Sequence, residues 1–196
     1  MTGHSPERGH SAEYPISPDE FGDCFSGFQS TAFRLETLQD YSAADEPAFR
    51  KFLAGESAPP PGTGSWPDEV RSGIDRGLRY DRVHVVTEPL SDYVRFECAW
   101  GYRRSVRAGE NIRILPVPEG GWPDGLPHLD YWLFDSATLV RMDYSPDHRT
   151  ITRVAVSDPE QIAAANAWRE RAMRLSVPFT EYAARFDDAM LPLGAR

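Results

Sequence analysis

RVHVVTEPLSDYVRFECAWGYRRSVRAGENIRILPV, residues 82–117, decides how this fold is read. Arg82–Val86 is a compact β-rich run, and Asn111–Val117 is another. The segment between them admits two readings. Val94, Phe96, Cys98 and Trp100 alternate as they would along a strand. Tyr93, Phe96 and Trp100 also share a helical face, with Pro89 ahead of them and Ser91 and Asp92 suited to a helix start. The helix reading is preferred, and it makes the stretch strand–helix–strand.

Upstream, Asp45–Leu53 is expected to be a short helix, with Pro47 in its first turn and Gly55 at its end. A Pro-rich loop, Ala58–Gly64, leads to a second helix from Pro67 to about Arg76, with Ser65 as its N-cap and Gly77 as its stop. FGDCFSGFQSTAFRL, starting at Phe21, carries four phenylalanines that would be costly to expose, so it is expected to dock on the core. Residues 1–20 are polar, include Pro15 and Pro18 and read as a mobile arm, leaving 21–196 as a single domain.

Downstream, a Gly/Pro-rich loop from Pro118 to Pro127 precedes DYWLFD (Asp130–Asp135) and TLVRMDY (Thr138–Tyr144), which read as a hairpin. TITRVAVS follows as a strand. Pro159–Arg174 is expected to be a helix with Ser157 and Glu160 at capping-box spacing, and Phe179–Met190 a last one. Strands interleaved with helices imply an α/β fold with a mixed, mainly parallel sheet flanked by helices.

The 30 acidic and 21 basic side chains give a net charge of −9. Such a field repels nucleic-acid phosphates and favours partners with a basic face. Direct nucleic-acid binding is therefore not expected. Cys24 and Cys98 have no metal-ligand or redox spacing and read as reduced thiols. No apolar run is long enough to span a bilayer, and the first residues lack the apolar core of a secretory signal, so a cytoplasmic location and no membrane contact are expected.

GxGxxG, Walker, GxSxG and HExxH patterns are all missing from the sequence. No cofactor or metal is expected. His84 lies inside a strand and reads as a packed residue. His128 stands two residues before Asp130 and seven before Asp135, the spacing of the phospholipase D signature H-x-K-x4-D. In that chemistry the His attacks phosphorus and the Lys neutralises phosphoryl charge. Asp130 in the Lys position would repel the phosphate, and the chain has no second signature. His128 and Asp135 are therefore a near-miss, and no catalytic residue is assigned.

A second candidate is the set Arg34, Glu36, Asp92, Tyr93, Arg95, Glu110, Arg113, Asp130, Trp132 and Asp135. Two readings stay open for it: a buried network of paired charges that fixes the fold, or a polar ligand pocket at the carboxyl ends of the strands. Trp122, Trp132 and Trp168 fit either a stacking pocket or the core.

FRLETLQDY, FLAGE, RVHVVTEPLSDYVRFE, AGENIRILP, DYWLFD and a DP-led helix ending WRERA occur in this order. The set resembles an uncharacterised actinobacterial family encoded beside helix-turn-helix regulators of the XRE type. The layout is also similar to the non-catalytic phospholipase-D-like sensor halves of some bacterial regulators. The resemblance implies a non-enzymatic regulatory module that binds a partner protein, with a small ligand as a further input. A homodimer, a degenerate phospholipase-D-like hydrolase or nuclease, and a toxin–antitoxin component remain as alternatives.

Overall fold

The computed structural model describes residues 12–41, 46–60, 62–146 and 150–185. Its centre is an eight-stranded sheet built from β1 (Glu13–Ile16), β2 (Thr31–Glu36), β3 (Arg79–Glu88), β4 (Asn111–Pro118), β5 (Asp130–Phe134), β6 (Thr138–Tyr144), β7 (Ile151–Val156) and β8 (Val177–Pro178). The spatial order is β1-β7-β6-β5-β2-β3-β4-β8.

The fold is mixed α/β, but the expectation of a mainly parallel sheet needs correction. Only β2–β3 and β3–β4 run parallel; the other five pairings are antiparallel. Helical crossovers join neighbouring strands only between β2 and β4; the helices before β2 and after β7 join strands that are not neighbours. Beyond them the chain meanders through β5, β6 and β7, and short connections join strands antiparallel.

The crossover from β2 to β3 contains α2 (Pro47–Leu53) and α3 (Trp66–Asp75). The crossover from β3 to β4 is one continuous helical segment: α4 (Asp92–Phe96), a π-helix (Glu97–Tyr102) and α5 (Arg103–Ala108). The helix reading of the ambiguous stretch thus holds, and the π winding explains why its periodicity is blurred. Gly109 ends the segment at φ 112°, where a Cβ would stand 2.9 Å from Ile74. Only glycine suits both demands.

Residues 12–20 are not an arm. Residues 13–16 pair with β7, and Ser17 opens α1 (Pro18–Gly27) with a reciprocal capping box to Glu20. Residues 1–11 lie outside the described residues, as do His148 and residues 186–190 of the last expected helix, of which α7 (Phe179–Ala184) is the described part. α6 (Pro159–Leu175) is capped by Asp158, which accepts from the Glu160 N–H, while Ser157 bonds back to Ala12.

The two faces of the sheet differ in chemistry. Odd-numbered residues Phe33, Leu35, Val83, Val85, Tyr131 and Leu133 form an apolar layer under α6. Even-numbered residues on the same strands face α1, α3 and the π-containing segment, and they include Arg34, Glu36, Arg82, His84, Asp130 and Trp132. The strand alternation therefore separates an apolar face from one that is aromatic and charged. Among the described residues no helix is long and apolar enough to cross a membrane.

Candidate functional site

The even-numbered face carries a buried network of charges. Arg34 on β2 donates to Asp130 on β5 at 2.8 Å and reaches Glu36 at 3.4 Å. Arg82 on β3 bridges Glu36 at 2.6 Å and Glu110 at 2.8 Å. The parallel register places Arg34 beside Arg82 and Glu36 beside His84, so the sheet itself sets the order of charges.

Aromatic rings wall in these groups. Arg34 lies 5.7 Å from the Trp132 ring centre, and Arg82 lies about as far from Trp66, Tyr102 and Trp132. The Trp66 indole N–H donates to the second oxygen of Glu110 at 2.7 Å. Asp130 accepts from the Thr37 N–H and hydroxyl, the Tyr41 hydroxyl and Arg34, all within 2.8 Å, and from Tyr144 at 3.4 Å. Its side chain is 1% exposed.

Burial would raise the Glu36 carboxyl, but Arg82 and then Arg34 overcome this and hold it down at about 2. Burial opposes the charge on Arg34, and Asp130 more than restores it. Burial pushes the Tyr144 hydroxyl up to about 12. His84, fully buried, is lowered by desolvation, against the pull of Glu36. Burial, and then Glu36, drive the Glu97 carboxyl well above its usual range.

The sequence candidates separate into groups. Arg34, Glu36, Glu110, Asp130 and Trp132 converge. Tyr93 sits at the margin, its hydroxyl 3.3 Å from Glu46. Asp92 and Arg95 lie together at the start of the helical segment, where Arg95 donates to the Leu90 carbonyl. Arg113 points to the other face and bonds Ser176 at the end of α6. Asp135 belongs to the β5–β6 turn and accepts from the N–H groups of Gln29, Ser30 and Thr31 at 2.7 to 2.9 Å. Those bonds hold its carboxyl below the usual range although burial acts the other way.

Sequence reasoning missed Arg82, Tyr102, Glu97, Tyr41, Tyr144 and Trp66 as members of the network. Arg82 was accessible from strand alternation, being two residues before His84 on a β-run.

His128 is exposed and stacks on Trp122, the ring centres 3.7 Å apart. It borders a pocket of about 380 Å³ with Thr37, Asp130 and Tyr144. Among the described residues that line this pocket none is Lys or Arg. Asp135 does not line it and is committed to the turn. The H-x-K-x4-D near-miss is thus not assembled into a phosphate site. Among the described residues no cluster suited to a metal ion occurs.

The fold and site define a mixed α/β domain whose polar residues are bonded to one another. Residues 19–184 match the family described as a domain of unknown function, DUF6879, and the chain belongs to it. No curated protein matches its sequence. Among solved structures it is similar to TrmBL2, an archaeal chromatin protein described as showing a novel mode of DNA binding, at 11% identity and a TM-score of 0.48 over 84% of this chain. The match takes in 54% of TrmBL2, so the chain spans about half the length of that protein. It is also similar to Nuc, a phospholipase D family member from Salmonella typhimurium, at 11% identity and a TM-score of 0.48, covering 85% of this chain and 97% of Nuc. NucT from Helicobacter pylori gives 10% identity and 0.43, covering 85% and 96%.

Proposed function

We propose that the chain is a non-enzymatic regulatory module that acts by binding a protein partner, a helix-turn-helix transcription regulator of the XRE type. One observation carries the non-enzymatic reading. The acids and bases on the even-numbered face of the sheet are consumed by one another, and His128, the near-catalytic histidine, is stacked on Trp122 outside their hydrogen-bonded network. A general base or nucleophile needs an activating partner beside an open reaction space; here the acids and bases are already paired with one another, and the pocket that His128 borders has no Lys or Arg among its described lining residues.

The partner reading rests on the resemblance to an actinobacterial family encoded beside such regulators, and on the net charge of −9, which suits a partner with a basic face. DNA contact then falls to the partner. Co-purification of the full chain with the regulator encoded beside it, as a stoichiometric complex, is the expected result. A chain that elutes alone when mixed with that regulator counts against the proposal. Turnover of bis(4-nitrophenyl) phosphate that disappears in His128→Ala would replace it with a hydrolase.

A further inference from the structure

Glu97 and Tyr102 open and close the π-helix. In an α-helix, residues five apart point about 140° away from each other. The wider winding brings these two to one side, with Glu97 Oε2 3.3 Å from Tyr102 Oη. π-turns recur at functional positions.

Three groups meet at Tyr102 Oη: His84 Nδ1 at 2.7 Å, Glu36 Oε2 at 2.9 Å and Glu97 Oε2 at 3.3 Å. The phenol brings one proton. His84 Nε2 lies 2.8 Å from the Leu38 carbonyl oxygen, which can only accept, so Nε2 carries the proton of a neutral imidazole. Nδ1 then presents a lone pair. Two carboxylates and one unprotonated nitrogen would surround a single O–H, setting acceptor against acceptor. An added proton resolves the conflict.

The charges lead to the same place. Glu36 has Arg82 at 2.6 Å and Arg34 at 3.4 Å, so it stays ionised. Among the described residues, Glu97 has hydrogen-bonding distance to Tyr102 alone, with His84 at 3.6 Å. We propose that Glu97 is a carboxylic acid in the folded protein at neutral pH, its proton shared through Tyr102 with His84, and that this proton latches the π-helix to the sheet.

The groups that act on Glu97 are Glu36 from β2, Arg82 and His84 from β3, and Tyr102 from its own helix. Tyr93 from α4, Glu46 ahead of α2 and the buried Cys98 thiol of the same helix also face it. His84 additionally meets the Tyr41 ring and the field of Asp130. Desolvation disfavours an imidazolium at His84 and favours a neutral Glu97, which puts the proton on the carboxyl side of the relay. A carboxyl that keeps its proton to higher pH when folded contributes stability in full at low pH. That contribution fades as pH rises through the folded-state value. Ionisation would leave the buried Glu36 and the largely covered Glu97, its side chain 14% exposed, as two carboxylates around one phenol and would loosen residues 92–108.

Thermal unfolding of the full chain and of Glu97→Gln, from about pH 5 to about pH 9, tests this. Backbone hydrogen exchange in residues 97–102 is followed in parallel. The wild type should lose several degrees in midpoint as pH rises, with the protection of the π-helix amides, relative to their intrinsic exchange at each pH, falling over the same range. Glu97→Gln should have a flatter profile and exceed the wild type at the alkaline end. A profile as steep as the wild type's overturns the latch. If that variant does not fold, infrared spectra of the wild type in heavy water decide. A protonated-carboxyl band at neutral pH that fades over the unfolding range supports the proposal, and its absence overturns it.

Discussion

Arg34 and Asp130 are 96 residues apart in sequence and 2.8 Å apart in space, and their contact ties the first parallel strand to the antiparallel half of the sheet. Neither side chain is more than 5% exposed. Removing Asp130 would leave the buried Arg34 charged with only the longer contact to Glu36, at 3.4 Å, to balance it. Asp130→Ala should therefore cost about 3–5 kcal/mol, measured by chemical denaturation. Arg34→Met, which leaves Asp130 its hydrogen bonds from Thr37 and Tyr41, should cost less.

The Asp135 carboxylate closes three backbone donors at the α1–β2 junction. Asp135→Ala should destabilise the chain by about 1–3 kcal/mol in equilibrium unfolding. The pH dependence has a definite sign. Its carboxyl is held low in the folded state, so its contribution is present at neutral pH and lost as pH falls. Asp135→Asn should flatten the acid limb of the stability curve.

Glu36 extends further into acid. Its folded carboxyl is held at about 2 by Arg82 and Arg34 against burial. The stability it supplies is whole above the ordinary carboxyl range and disappears only as pH falls toward that value. Glu36→Gln should thus be less stable than the wild type at neutral pH, and the gap should close on acidification. Parallel denaturant titrations at several pH values would read it.

Gly73 on α3 lies against Tyr80. A Cβ at residue 73 would stand 2.2 Å from the tyrosine hydroxyl oxygen, and Tyr80 is 1% exposed. Gly73→Ala should lower stability by about 1–3 kcal/mol despite alanine's better helix propensity. A gain in thermal midpoint would show that Tyr80 moves aside freely.

The hairpin, the strands flanking the long helical segment and α6 are legible in the sequence because turn residues and apolar periodicity mark them locally. β2 is not. It is covered on both faces, its apolar and charged residues are all buried, and the phenylalanines before it blur its start. β1 is concealed by its polar composition and by Pro15, which an edge strand tolerates. The site is half legible. Glu110, Asp130 and Trp132 stand out as ionisable or aromatic groups on expected strands or at their ends, whereas Arg34 and Glu36 stand out only as charged residues upstream of them. Tyr102 and Glu97 do not, because only the π winding turns both toward the sheet. Asp135 and Arg113 are equally polar in sequence, but a turn and the opposite face claim them.

The pairing of residues 13–16 with β7 bears on how this domain can be cut. The family match begins at residue 19, after that strand. A chain trimmed to the matched residues would strip β7 of its neighbour and bare a row of main-chain donors and acceptors. Such an edge invites strand addition from another molecule. β1 is four residues long and carries Pro15, so it makes a poorer template than the six-residue β7 would, and trimmed preparations should become turbid at concentrations where the full chain stays clear.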